Sequence, residues 1–132
     1  MAIDWPALRT AASTAAARAY APYSRLHVGA AGQAEDGAVV AGCNVENASF
    51  GLTVCAERAA VFSAISDGRM DIAAVAVVTS SAKLCKPCGA CRQVIAEFSQ
   101  ADNPIVVVTA CAGGETATET IADLLPDTFT LL

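Results

Sequence analysis

Apolar residues recur along this chain at two spacings, one typical of helices and one typical of strands. In the Ala-rich stretch 4–20 they fall on one helical face, which predicts a first helix. The stretches 26–35 and 38–43 flank the dipeptide Asp36-Gly37, a frequent turn of β-hairpins. The first third of the chain therefore predicts a helix followed by two antiparallel strands.

Helix and strand patterns alternate in the rest of the chain. Helical patterns cover 55–65 and 88–98, whereas 72–79 and 104–110 are apolar runs of strand length. A last short helix is predicted at 120–125. This alternation is typical of an α/β fold in which right-handed crossovers join parallel strands. We therefore expect an antiparallel hairpin followed by a parallel core.

The composition indicates one domain with part of its surface covered. Neither a repeat nor a linker divides the 132 residues, so a single domain is predicted for 1–132. Hydrophobic residues make up 55% of the chain and charged residues only 16%, below the roughly 25% charged of an average domain. So few charges on a small body favour burial of surface in a homo-oligomer, and a monomer with an Ala-rich core is the alternative.

Charge and cysteine content exclude several functional classes. The net charge is −5 and Lys and Arg form no cluster, which argues against nucleic acids and anionic membranes as partners. No apolar run approaches membrane-spanning length and no secretory leader is visible, so we expect a cytoplasmic protein. In that compartment the six cysteines are expected to be thiols or metal ligands and not disulfides.

Two cysteine-containing elements carry the candidate chemistry. Cys55 precedes Glu57 by two residues, and Cys88 and Cys91 follow later in a Pro-Cys-x-x-Cys element. Both elements begin a helical pattern, where the positive end of the helix dipole favours thiolates. Zinc held by three protein ligands keeps a fourth position for water, and a neighbouring carboxylate can move the protons of that water. The pattern predicts a zinc hydrolase with Glu57 as its acid and base.

Other interpretations of these cysteines and of the neighbouring Arg58 remain open. Arg58 could donate to the thiolates and offset their excess negative charge, or it could be a surface residue of its helix. A structural zinc site with a fourth ligand from Cys43 or Cys85 is one alternative. A redox pair of Cys88 and Cys91 is another, although it leaves Glu57 without a role. The spacing that begins at Cys85 also resembles a ferredoxin cluster, but the expected fourth cysteine is missing.

Six short motifs occur in a fixed order along the chain. Each motif alone is only moderately specific for a protein family, but the ordered set is very specific. They are Ala21-Pro22-Tyr23-Ser24, Val28-Gly29-Ala30, Gly42-Cys43-Asn44-Val45-Glu46-Asn47, Cys55-Ala56-Glu57-Arg58, Pro87-Cys88-Gly89-Ala90-Cys91-Arg92-Gln93-Val94 and Leu124-Leu125-Pro126. Over nearly its full length the chain resembles the small, homotetrameric type of zinc-dependent cytidine deaminase. The resemblance implies an α/β fold of three layers, α-β-α, around a mixed sheet of about five strands.

The resemblance also implies a reaction. One zinc ion per chain would be held by Cys55, Cys88 and Cys91, and water activated there would attack C4 of the cytosine ring. Glu57 would carry protons from the water to N3 and to the departing amine. Cytidine and deoxycytidine would become uridine and deoxyuridine plus ammonia, as in pyrimidine salvage. Two rivals remain: a deaminase of a modified cytosine nucleoside of the blasticidin type, and a non-catalytic zinc module on the same fold.

Substrate contacts are implied at further positions. Asn44 and Glu46 match residues that bind the ribose 3′-hydroxyl, and the main chain of Ala56 matches the position that binds the edge of the pyrimidine ring. Leu26 stands where the family commonly has Phe against the sugar and base. Phe50 replaces a common Tyr in the active-site loop. Both differences are expected to change affinity and not the reaction.

The C-terminal aromatic residue implies a shared active site. Phe129 matches a residue that, in the family, stacks on the base bound by a neighbouring subunit. The partners implied are therefore a small nucleoside and further copies of the chain, with a tetramer as the expected assembly. A plain packing role at the terminus is the alternative for Phe129.

Overall fold

The computed structural model describes residues 2–132 and contains one five-stranded sheet with helices on both faces. The longest helix has 12 residues, and within the described range no helix is long and apolar enough to cross a membrane. In chain order the elements are α1 (Trp5–Ala16), β1 (Val28–Ala34), β2 (Val39–Cys43), a 3-10 turn (Phe50–Leu52), α2 (Ala56–Ser66), β3 (Ile72–Thr79), α3 (Gly89–Glu97), β4 (Val106–Cys111), β5 (Thr116–Thr120) and α4 (Ile121–Leu124).

The sheet is mixed, with the strand order β2-β1-β3-β4-β5. Strand β1 is antiparallel to both β2 and β3, β3 and β4 are parallel, and β5 is antiparallel to β4. The predicted fold class is confirmed, and the parallel core consists of one directly bonded pair of strands. Strand β2 runs in the same direction as β3 but is separated from it by β1, so the crossover through α2 passes over one strand.

Two apolar cores lie on opposite faces of the sheet. Side chains alternate between the faces of a strand, so Val75 and Val77 of β3 face α2 and α3, whereas Ala74 and Ala76 face α1. The small side chains on the second face let α1 approach closely. At Gly29 a Cβ atom would lie 1.8 Å from the main-chain oxygen of Ala12, so only glycine fits there.

Helix α2 packs with similar closeness on the other face. A Cβ atom at Gly42 of β2 would lie 2.5 Å from the main-chain nitrogen of Ala60 and 2.8 Å from the carbonyl carbon of Ala59. The helix backbone therefore rests directly on the strand. Because Cys55 caps this helix and Glu57 lies in its first turn, the contact at Gly42 fixes the depth at which both side chains lie.

Candidate metal centre and active site

Three cysteine sulfurs meet where α2 and α3 begin. Cys55 is the N-cap of α2, Cys88 is the N-cap of α3, and Cys91 lies in the first turn of α3. The Sγ atoms of Cys55 and Cys88 are 3.9 Å apart, those of Cys88 and Cys91 are 3.5 Å apart, and all three lie within 4.8 Å of one another. Sulfurs bound at about 2.3 Å to a tetrahedral zinc ion lie roughly 3.8 Å apart. The donor set therefore fits zinc.

The thiols of Cys55 and Cys91 have very different pKa values. A hydrogen bond from Cys91, followed by donation from Arg58, lowers the pKa of Cys55 to about 5. The pKa of Cys91 is raised because its proton is shared with Cys55 and because the side chain is buried. Without a cation, the site therefore favours a thiolate at Cys55 and a protonated thiol at Cys91, and metal binding must displace the Cys91 proton.

Arg58 is not a potential metal ligand but donates a hydrogen bond to one of the three cysteines. Its Nη2 lies 3.4 Å from the Sγ of Cys55 and 3.4 Å from the main-chain oxygen of Thr53. The hydrogen bond to Cys55 raises the pKa of Arg58 further, and a guanidinium is charged at any physiological pH. A fixed positive charge at this place can offset part of the negative charge of three thiolates.

Glu57 is a buried acid next to the thiols. Its side chain is 5% exposed, and α2 holds it in the first helical turn. Burial raises the pKa of the Glu57 carboxyl to about 7, and the Cys55 thiolate adds to the increase. A carboxyl group that titrates near neutral pH can both accept and release a proton during a reaction.

Asn44 and Glu46 hold the segment that leads into β1. Asn44 accepts from the main-chain N–H of Val28 at 2.8 Å and donates to the main-chain oxygen of Leu26 at 2.8 Å. The Oε1 atom of Glu46 accepts from the N–H groups of Tyr23 and Ser24 at 3.0 and 3.1 Å. Both side chains are thus held by hydrogen bonds to the main chain of the segment before β1, and in this way they cap that loop. Each keeps further hydrogen-bonding capacity.

A cleft of about 410 Å³ lies beside Glu46. Its lining comprises Tyr23, Ser24, Glu46, Phe50 and Thr53. The rings of Phe50 and Tyr23 are arranged edge to face, with their centroids 6.3 Å apart. Phe50 is 78% exposed. The sequence interpretation gave no role to Tyr23, Ser24 or Thr53, although the Ala-Pro-Tyr-Ser motif contains the first two.

The other residues that were predicted to contact the substrate are not part of the lining of this cleft. Ala56 is fully buried as the first residue of α2, and Leu26 is half-buried just before β1. The structure does not bring Phe129 to the cleft of its own chain. The main-chain oxygen of Phe129 accepts from Gln93 at 3.1 Å, and its side chain is 67% exposed along a separate depression beside α3.

Arg92 is a structural residue that the sequence interpretation missed. Its Nε donates to the main-chain oxygen of Pro87 at 2.7 Å, and its Nη1 donates to that of Leu124 at 2.8 Å. These bonds tie the loop before Cys88 to α4. The available signal was an arginine directly after Cys91, in the first part of a helix.

The other cysteines lie outside the metal centre. Within residues 2–132, the cluster of potential metal ligands consists of the three cysteines at the helix starts. Cys43 and Cys85 do not join it, and all cysteines are free thiols. The structural zinc site with a fourth cysteine is therefore not formed. Three cysteine sulfurs beside a buried acid, on a mixed α/β sheet, define the class of zinc hydrolases.

Comparison with known proteins narrows this class to one family. Residues 6–109 match the family model for the cytidine and deoxycytidylate deaminase zinc-binding region, and the chain belongs to this family. A cytidine deaminase from Halalkalibacterium halodurans is 50% identical over 112 residues, which are 85% of this chain and 83% of that protein. One from Mycobacterium tuberculosis is 44% identical over 133 residues, 98% of this chain and 92% of the relative.

The fold agrees with a solved structure of the same kind. The crystal structure of cytidine deaminase from Burkholderia pseudomallei superimposes with a TM-score of 0.89 at 46% identity, covering 96% of this chain and all of that one. A blasticidin-S deaminase from Bacillus cereus is more distant, at 30% identity over 115 residues, 81% of this chain and 79% of the relative. The prediction of a zinc-dependent cytidine deaminase is confirmed.

Proposed function

We propose that this chain deaminates cytidine and deoxycytidine to uridine and deoxyuridine with release of ammonia, using one zinc ion held by Cys55, Cys88 and Cys91. One observation carries the assignment of residues: three sulfurs lie within 4.8 Å of one another beside a buried carboxyl with a pKa of about 7. A structural zinc site has no need of such an acid. A hydrolytic site needs it to move protons.

Glu57 performs the proton transfers in this proposal. Zinc, when bound, activates a water molecule by lowering its pKa. The Glu57 carboxylate accepts a proton from that water and passes it to N3 of the cytosine ring. With the water oxygen bonded to C4, a second transfer through Glu57 would bring the remaining water proton to the amino group, so that the C4–N bond breaks and ammonia leaves. Burial raises the pKa of Glu57 in the chain, and a general acid and base is most effective when its pKa lies near the operating pH.

Asn44 and Glu46 are assigned to the sugar. An ionised carboxylate has about four acceptor positions, and three positions of Glu46 are taken by Tyr23 and Ser24. Asn44 keeps one N–H after donating to Leu26. One acceptor and one donor suit one hydroxyl group, in agreement with the 3′-hydroxyl that ribose and deoxyribose share.

The remaining substrate contacts follow the cleft. Phe50 lies in the lining of the cleft, and Leu26 leads from it into β1. We assign both to apolar contact with the nucleoside. The main chain of Ala56, at the start of α2, is assigned to the pyrimidine edge.

The functional unit is proposed to be a homo-oligomer, with a tetramer as the expected form. Several large apolar side chains are exposed on the single chain, among them Leu52 at 67%, Phe62 at 48% and Met70 at 63%. Contact with other copies would cover them. Phe129, which does not reach its own cleft, is assigned to the site of a neighbouring subunit. A cytoplasmic location and a single domain over 1–132 complete the proposal, and free thiols suit a reducing compartment.

A spectroscopic assay tests the proposal directly. Purified protein of measured zinc content is mixed with cytidine, deoxycytidine or free cytosine, and loss of the cytosine absorbance is followed. Glu57→Gln is the matched control, since it keeps the size of the side chain but cannot carry a proton as a carboxylate does. We expect turnover of both nucleosides by the wild type and loss of nearly all activity in the variant, each at one zinc per chain.

Three other results would change the assignment. If the zinc-loaded wild type turns over none of the three compounds but deaminates a blasticidin-type nucleoside, the substrate is wrong. If it deaminates nothing, the chain is a non-catalytic zinc module. If Glu57→Gln keeps zinc and full activity, another group moves the protons.

A further inference from the structure

Ser24 occupies the centre of a hydrogen-bond network at the edge of the cleft. Its hydroxyl donates to Oε2 of Glu46, and its main-chain N–H donates to Oε1 at 3.1 Å. The same hydroxyl accepts from the main-chain N–H of Leu26 at 3.0 Å. Because the N–H of Leu26 can only donate, the Ser24 oxygen must be its acceptor, and the hydroxyl proton is free to point at Glu46.

This network orients the Glu46 carboxylate from two sides. The N–H groups of Tyr23 and Ser24 occupy both positions of Oε1, and the Ser24 hydroxyl occupies one position of Oε2. The remaining position of Oε2 is the one that can accept from a ligand. The direction from which Glu46 can accept a hydrogen bond from a ligand therefore depends on the position of the Ser24 hydroxyl.

We propose that Ser24 is a positioning residue for substrate binding, whose hydroxyl orients Glu46 so that a single acceptor position is presented to the sugar hydroxyl of the nucleoside. The proposal rests on the assignment of Glu46 to the sugar made above. Ser24 acts through Glu46 and takes no part in the chemistry at the metal centre. Hydrogen bonding from Ser24 is also the main cause of the lowered pKa of Glu46.

The nearby Ser80 provides a matched control. Its hydroxyl accepts from the main-chain N–H of His27 at 3.0 Å, so it ties down the same segment of chain through one serine hydroxyl. The bonds of Glu46 go to Tyr23 and Ser24 and do not involve Ser80. Loss of the Ser80 hydroxyl reports the effect of loosening this segment alone.

The test crosses enzyme variants with a change in the substrate. Wild type, Ser24→Ala and Ser80→Ala are assayed with cytidine and with 3′-deoxycytidine, which lacks the hydroxyl assigned to Glu46. We expect Ser24→Ala to raise KM for cytidine about tenfold, as for a lost hydrogen bond to a charged group, with kcat and zinc content little changed. With 3′-deoxycytidine, we expect wild type and Ser24→Ala to have equal kcat/KM. Ser80→Ala should leave the preference between the two substrates as in the wild type.

A second pair of variants covers the case in which Ser24→Ala does not fold. Thr and Val have nearly the same shape and differ in the hydroxyl, so Ser24→Thr should keep the preference for cytidine and Ser24→Val should lose it. Equal losses on both substrates in Ser24→Ala, or equal preferences in the Thr and Val variants, overturn the positioning role. A wild type that does not deaminate cytidine overturns the proposed function instead, and a wild type without preference between the substrates overturns the assignment of Glu46.

Discussion

The close contact between β2 and α2 predicts that Gly42→Ala damages both stability and catalysis. The new Cβ would lie 2.5 Å from the nitrogen of Ala60, whereas ordinary contact begins near 3.4 Å. The neighbouring atoms belong to the helix backbone and cannot rotate away. Helix α2 would have to withdraw by roughly 1 Å, and backbone shifts forced by overpacking cost about 1–3 kcal/mol. At about 2 kcal/mol we expect Tm to fall by roughly 6–10 °C.

The same shift should lower turnover, since α2 carries Cys55 and Glu57 at its first turn. A displacement of about 1 Å in a catalytic group can reduce the rate by about 10²-fold. We therefore expect kcat of Gly42→Ala to fall at least about tenfold, even at temperatures where the variant is fully folded. Thermal unfolding and steady-state kinetics on the zinc-loaded protein measure the two effects separately.

Gly32→Ala is the control for this prediction. Gly32 lies on the neighbouring strand β1, and a Cβ there would meet Ala74 and Ile72 at an ordinary 3.7 Å. Adding a methyl group without a clash reduces the freedom of the unfolded chain, which stabilises by about 0.4–1 kcal/mol. Gly32→Ala should therefore unfold at or slightly above the wild-type temperature with unchanged kcat. The reasoning is refuted if Gly42→Ala matches this control in both Tm and kcat.

Three further predictions concern the metal centre and the assembly. Arg58→Ala should keep one zinc per chain while kcat falls about tenfold or more, because the charge 3.4 Å from the Cys55 sulfur is lost; unchanged kcat would contradict the tuning role. Zinc affinity should rise with pH, because the raised pKa of Cys91 means that binding must displace its proton; competition with a chelator that gives a flat profile argues against this. Specific activity should fall on dilution as the oligomer dissociates, and Phe129→Ala should lower kcat/KM of the undissociated protein. Full activity in a verified monomer rules out the role of Phe129 in a neighbouring site.

The metal centre was predictable because its residues are close in sequence or begin recognisable elements. A separation of three residues places Cys88 and Cys91 in one helical turn whatever the rest of the chain does. The predicted helix starts were one residue early, since Cys55 and Cys88 are N-caps and the helices begin at the next residue. That shift leaves the sulfurs at the positive ends of the helices, where the prediction needs them.

The partners of Asn44 and Glu46 could not be found in the same way. They lie 16 to 23 residues away in the chain and depend on the pairing of β1 with β2. The position of β1 between β2 and β3 is likewise invisible in hydrophobic patterns, because spacing identifies strands but does not order them within a sheet. Strand β5 has only five residues, three of them Thr, so its pattern resembled an irregular segment.

The exposure of the cleft connects the substrate site with the proposed assembly. Pockets for small ligands commonly bury about 70–90% of the ligand surface. In the single chain, Phe50 forms one side of an open cleft and is 78% exposed, so a nucleoside bound there would keep one side in water. Phe129 is 67% exposed and lies along a different depression. In the proposed oligomer, the Phe129 ring of one copy would cover the open cleft of another, so that one contact between subunits would both close the site and bury exposed apolar surface.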